Sequence, residues 1–65
     1  MSDRDSVSRT ARDLNNELNA ILGVAELALT DARDPALRSD LRAISDAAMR
    51  SAVLVRKLQV EARAS

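Results

Sequence analysis

The sequence predicts an all-α protein: an antiparallel helical hairpin that pairs with a second copy as a homodimeric four-helix bundle. Two observations lead to this prediction. Apolar or small residues recur in alternating steps of four and three along two long segments, which is the heptad spacing of helices packed lengthwise. The chain of 65 residues also contains only one Gly and one Pro, so few positions interrupt a helix. We treat residues 1–65 as a single domain.

The first helix is predicted over about residues 5–31. Its apolar series is Val7, Ala11, Leu14, Leu18, Ile21, Ala25 and Ala28. Neighbouring leucines and valines make the apolar face wider than a two-stranded coiled coil needs, and closer to what a bundle buries. Gly23 lies inside this helix and costs about 1 kcal/mol relative to Ala. We expect close helix packing to be the reason for it.

The second helix is predicted over about residues 35–63. Its apolar series is Leu37, Leu41, Ile44, Ala48, Ser51, Val55, Leu58 and Ala62. Pro35 suits the first position of a helix, and the carboxylate of Asp34 before it can cap the free amides. Because the connection is short and the helices are equally long, we expect an antiparallel hairpin.

A homodimer is predicted because two helices alone cannot bury both wide apolar faces, and a lone core of this size is marginal. Pairing two hairpins would close the core. The residues expected in the dimer core are Leu14, Leu18, Ile21, Leu22, Leu41, Ile44, Leu54, Val55 and Leu58.

Composition argues against several classes of function. Ten basic and ten acidic residues cancel, and the chain has no Phe, Tyr or Trp on which bases could stack. We therefore expect no nucleic-acid or anionic-membrane surface. No apolar run approaches the length of a transmembrane helix, and the N-terminus lacks the charged-then-apolar order of a signal peptide. These features favour a cytoplasmic protein.

A sequence motif lies in the first helix. The segment from Thr10 to Leu29 reads T-A-R-D-L-N-N-E-L-N-A-I-L-G-V-A-E-L-A-L. It resembles the first helix of the dimerisation and histidine-phosphotransfer domain of sensor histidine kinases, where one subgroup reads A-H-D-F-N-N-L-L-x-x-I-L-G-x-A-E-L-A-L. The second helix continues the likeness from D-P-A-L-R at residues 34–38. Arg12 stands in place of the phosphoacceptor histidine, and the chain contains no His.

The resemblance implies a fold and a role in bacterial two-component signalling. In that family the hairpin forms a homodimeric four-helix bundle. Its histidine takes phosphate from ATP held by a following domain and passes it to an aspartate of a response regulator. A guanidinium is always protonated and is a poor nucleophile. The single Gly also rules out a Gly-rich nucleotide loop, so we find no ATP-binding domain. We expect no enzymatic activity, no cofactor and no metal.

The resemblance also suggests roles for individual polar residues. Asp13 matches the acidic residue that helps to activate the histidine, and Asn16 matches a polar residue linked in related kinases to dephosphorylation of the regulator. Helical spacing places Arg12 and Asn16 on one face, off the apolar series. The residues of this motif and possible docking face are Arg9, Arg12, Asp13, Asn15, Asn16 and Asn19, of which Asn15 lies nearest the series. Arg12 is either a solvated surface residue or a contact with the acidic pocket of a receiver domain.

These inferences favour a non-catalytic module that dimerises and binds either a response regulator receiver domain or a partner histidine kinase. One alternative is a phosphatase-type remnant, in which Asn16 would orient water on a phosphorylated receiver. The other is a purely structural helical hairpin. Retention of Asp13, Asn15 and Asn16 outside the core favours the first two readings, because a scaffold does not need this polar set.

Overall fold

Two long helices form one hairpin in the structure, a computed structural model that describes residues 3–64. Helix α1 spans Asp3–Asp31 and helix α2 spans Pro35–Ala64, with residues 32–34 between them. The hairpin measures 49 × 15 × 11 Å. The predicted all-α hairpin is confirmed. Helix α1 begins two residues before the predicted start, and α2 ends one residue after the predicted end.

The start of α2 is fixed by Asp34 and Pro35. The backbone N–H of Ala36 donates to Oδ1 of Asp34 at 3.3 Å, and the N–H of Arg38 donates to the Asp34 carbonyl oxygen at 2.9 Å. Asp34 is therefore the N-cap residue, and proline occupies the next position, where its missing N–H is not needed. The predicted cap is confirmed.

The end of α1 is capped from the other helix. The last turn of α1 contains no basic residue. Instead, Nη1 of Arg38, on the first turn of α2, donates to the carbonyl oxygens of Leu29 at 2.7 Å and Ala32 at 2.9 Å. The Leu29 oxygen is one of the C-terminal carbonyl groups that an α-helix leaves unpaired, and the Ala32 oxygen lies one residue past the end of α1. The positive charge suits the negative end of the helix dipole. Arg38 therefore ties the two helices together beside the turn.

Small residues form the seam between the helices. The buried residues are Ala11, Ala25, Ser45, Ala48, Val55 and Ala62. Small side chains let the helix backbones approach closely, but they contribute little apolar area. No large side chain among residues 3–64 is fully buried. The hydroxyl of Ser45 is also buried, and it finds no hydrogen-bond partner among these residues.

The two predicted apolar series divide in the structure. Alternate members face the partner helix of the same hairpin: Ala11 and Ala25 on α1, and Ala48 and Val55 on α2, are buried. Five of the members between them stay about half exposed, with exposed fractions of 43–47%: Leu14, Ile21, Leu37, Ile44 and Leu58. The other three, Val7, Ala28 and Ser51, are more covered. One hairpin therefore covers only half of each series.

The expected reason for Gly23 is wrong within the hairpin. A Cβ atom added at Gly23 would meet nothing within 4 Å, and the residue is exposed. The backbone at this position is also not in the positive-φ region that favours glycine. Neither close packing nor backbone geometry in the hairpin therefore requires glycine here.

Across the part of the chain that the structure describes, neither helix has an apolar stretch suited to crossing a bilayer.

Candidate functional site

The half-exposed apolar residues lie on one side of the hairpin, which we call the apolar flank. Two adjoining hollows on this side share the lining residues Ile21 and Ile44. A third hollow, lined by Val7 and Leu58, lies two heptads further along: Val7 is fourteen residues before Ile21, and Leu58 is fourteen residues after Ile44. The residues lining the apolar flank include Val7, Thr10, Glu17, Leu18, Ile21, Val24, Leu41, Ile44, Ala47, Ser51 and Leu58.

Most of the predicted dimer core belongs to this flank. Leu14, Ile21, Ile44, Leu54 and Leu58 are exposed in one hairpin, whereas Leu18, Leu22 and Leu41 are half-buried. Val55 is buried within the hairpin itself, at 5% exposure. The surface that one hairpin leaves uncovered is therefore the part of the series that a second copy would have to cover.

Apart from Asp13, the motif residues lie on a different side of α1. Arg12, Asp13, Asn16, Asn19 and Arg9 are exposed, and Asn15 is half-buried at the seam. Asn19 and Ile21 are two residues apart and hence about 200° apart around the helix axis. Asp13 lies seven residues before Ala20, which lines the apolar flank, and so stands beside that flank. Covering the apolar flank would therefore leave Arg12, Asn16 and Asn19 accessible.

A groove separates the two helices on the side opposite to the apolar flank. Its volume is about 280 Å³, and its lining residues are Asn15, Asn19, Ala52, Val53, Arg56 and Gln59. Arg12 lies seven residues before Asn19, at the same heptad position, and Arg63 lies seven residues after Arg56. Exposed Met49 and Val60 are each seven residues from a lining residue. We call these ten residues the arginine flank.

Charge is segregated between the two flanks although the chain is neutral overall. Three of the ten residues of the arginine flank are arginines. Along both described helices, the equivalent heptad positions also carry Arg38 and Arg42 and the three carboxylates Asp5, Glu26 and Asp46, so arginines outnumber carboxylates by five to three. At the heptad positions along the outer edge of the apolar flank, every charged residue is a carboxylate. These residues are Asp3, Glu17, Asp31, Asp40 and Glu61. A guanidinium-rich groove favours an acidic partner.

The residues that sequence reasoning missed are those α2 contributes to this groove. They include Arg56 and Gln59, because a single sequence does not reveal which side of α2 meets the motif residues. The capping role of Arg38 was missed for a related reason, because its partners are nine and six residues away. Its place three residues after Pro35 is the feature that could have indicated it.

The site contains no evident machinery for metal chemistry. Among residues 3–64, no three His, Cys, Asp or Glu side chains come together in a way that could hold a metal ion.

Neither a protein-family model, nor a curated protein, nor a solved structure matches this chain. The likeness to histidine kinases therefore rests on the residues of the motif alone.

Proposed function

We propose that this chain is a non-catalytic dimerisation and interaction module related to two-component signalling, which binds a receiver domain or a partner histidine kinase. The observation that supports this best is the separation of two surfaces on one hairpin. The apolar flank is suited to pairing, and the motif residues other than Asp13 lie on another side of the hairpin. A protein organised in this way can dimerise and still present Arg12 and Asn16 to a partner.

Dimerisation is supported by the exposure of large apolar side chains on the apolar flank. Large apolar side chains of this flank, among them Ile21, Val24, Ile44 and Leu58, are exposed, and no large side chain among the described residues is fully buried. An uncovered surface of this kind is typical of an interaction site. A second hairpin fits it because the exposed members of both series share the heptad spacing of the buried ones, which is the pattern that a four-helix bundle completes.

Binding of a signalling partner is supported by the motif face. A receiver domain carries acidic residues around its phosphorylated aspartate, and a guanidinium matches carboxylate and phosphate geometry with two parallel hydrogen bonds. Arg12 would supply that contact, and Asn16, one turn later, would donate or accept a second hydrogen bond. Because the Arg12 guanidinium is a poor nucleophile for phosphoryl transfer, such a complex would hold the partner without phosphorylating it.

The experiment is a paired measurement on Arg12→Ala and Asn16→Ala. Receiver domains or kinases recovered with the chain from its native cytoplasm are purified, and their affinities for each variant are measured together with the melting temperature. Truncating an anchoring Arg costs about 2 kcal/mol of binding, or about 30-fold in Kd, whereas exposed substitutions change stability by less than about 0.5 kcal/mol. Arg50→Ala, an exposed arginine on α2 outside both flanks, is the matched control.

Two outcomes would redirect the proposal. Unchanged affinity in both variants would favour the structural hairpin, since the motif face would then be only a solvated surface. A phosphorylated receiver that loses its phosphate faster with the chain, and not with Asn16→Ala, would instead support the phosphatase-type remnant. We expect the lifetime of the phosphorylated receiver to be the same with and without the chain.

A further inference from the structure

We infer that the arginine flank is a docking surface for an acidic amphipathic helix of a partner protein. This inference rests on the proposed function in one respect: dimerisation through the apolar flank leaves the arginine flank accessible. It names the chemistry of the partner segment and extends the contact from the motif residues on α1 to a set of residues on α2 that the motif does not include.

Shape favours a helical segment. The groove runs lengthwise between two antiparallel helices. Such a groove can accept a third helix, whose side chains pack between the rows of side chains on α1 and α2. Except for residues 32–34, the described chain is entirely helical, so it offers a partner strand no sheet edge to extend. An extended peptide would therefore leave its backbone hydrogen bonds unmade along most of the groove.

Apolar anchors line one side of the groove. Met49, Val53 and Val60 are 49%, 67% and 57% exposed, and their spacing of four and seven residues places them along one side of α2. They lie away from the apolar flank, so pairing through that flank does not cover them. Leucines at i, i+3 or i+4 and i+7 of a bound helix match this spacing, and methionine adapts easily to different apolar partners.

The arginines of this flank favour a partner helix that carries negative charge. Arg12 lies on the α1 side of the groove. On α2, Arg56 and Arg63 share the heptad position of Met49, next to the row of Val53 and Val60. The polar lining at Asn15, Asn19 and Gln59 offers amide donors. Carboxylates at the edges of a bound helix would meet guanidinium groups on both α1 and α2. A phosphate polymer would satisfy the arginines but would leave the apolar anchors against its charged backbone, and the chain has no aromatic residue for base stacking.

The test uses three labelled helical peptides of about five turns each. The first has leucines at heptad spacing with glutamates at both edges, the second replaces the glutamates with lysines, and the third has the composition of the first with its leucine positions scrambled. Fluorescence anisotropy measures their affinities for the full chain. We expect the acidic amphipathic peptide to bind about tenfold more tightly than either control.

Variants locate the binding surface. Arg56→Glu is expected to weaken the acidic peptide by about tenfold or more, and Arg50→Glu, the same charge change outside the groove, to leave most of the affinity intact. Circular dichroism confirms that both variants remain helical. If either fails to fold, Arg56→Gln and Arg50→Gln replace the pair, with a smaller expected difference of about threefold.

Several outcomes would overturn the inference. They are absence of binding at millimolar peptide, equal affinity for all three peptides, and equal weakening by both glutamate variants. Displacement of the peptide by an oligonucleotide or an anionic vesicle at equal charge would mean that the flank binds polyanions in general. If the chain binds a receiver through Arg12 but does not bind the acidic peptide, the proposed function stands and only this inference is wrong.

Discussion

Ile44 on the apolar flank provides the sharpest mutational test of dimerisation. Its side chain is 46% exposed in one hairpin, so about half of it has no protein neighbour until a second copy arrives. Met49 on the arginine flank is almost equally exposed, at 49%. The two residues lie on the same helix and differ in which flank they occupy. Ile44→Ala and Met49→Ala are therefore a matched pair.

The expected effect of Ile44→Ala follows from this half burial. Truncating a fully buried Ile to Ala costs about 3 kcal/mol in a typical core. Since the hairpin already covers about half of the side chain, about half of that loss belongs to dimerisation, and each dimer contains two copies. The dimer should therefore lose about 3 kcal/mol, which corresponds to a dissociation constant about a hundredfold higher. Met49→Ala should change it by less than about threefold.

Sedimentation equilibrium over a dilution series measures both constants. Interference optics are needed because the chain has no Phe, Tyr or Trp to absorb in the near ultraviolet. The wild-type mass should approach twice the chain mass of 7.0 kDa at micromolar concentration. If Met49→Ala dissociates the dimer and Ile44→Ala does not, the pairing surface is the arginine flank and not the apolar flank. A well-folded wild-type monomer would refute dimerisation itself.

Three further substitutions test the hairpin itself, each by urea unfolding followed by circular dichroism. Gly23→Ala should raise the free energy of unfolding by about 1 kcal/mol, because the added methyl meets nothing within 4 Å and alanine is the better helix former; a loss would show that glycine has a role in the assembled protein. Ser45→Ala should raise it by about 1 kcal/mol by removing a buried hydroxyl without a partner, and a decrease would mean that the hydroxyl is satisfied in solution. Arg38→Ala should lower it by about 1.5 kcal/mol through loss of two charged hydrogen bonds to the end of α1. The exposed Arg42→Ala should stay within about 0.5 kcal/mol, and an equal loss in both would contradict the capping role.

Local chemistry explains why the helix ends could be predicted. Pro35 can occupy only the first turn of a helix, and Asp34 before it has the side chain that caps one, so residues within a short window determine where α2 begins. The heptad steps likewise predicted two long helices and the apolar series on each. All of these features depend on neighbours along the chain.

The relative rotation of the helices could not be predicted in the same way. Each apolar series has members that point toward the partner helix and members that point toward the apolar flank, and steps of three and four fit both directions. Only the packed hairpin shows that Ala11 and Val55 are buried while Leu14 and Leu58 are exposed. The groove between Asn15 and Arg56 depends on that rotation, so it too is visible only in the structure.

In the proposed dimer the apolar flank is covered while the motif face stays open. The chain has no Cys, so single thiols can report on each surface. Ala47 on the apolar flank and Asn16 on the motif face are both exposed in one hairpin. Alkylation of Ala47→Cys and Asn16→Cys is measured across a range of protein concentrations. We expect alkylation at position 47 to slow by about tenfold or more as the dimer forms, while alkylation at position 16 keeps one rate. Protection at position 16, or equal rates at both positions throughout, would contradict this expectation.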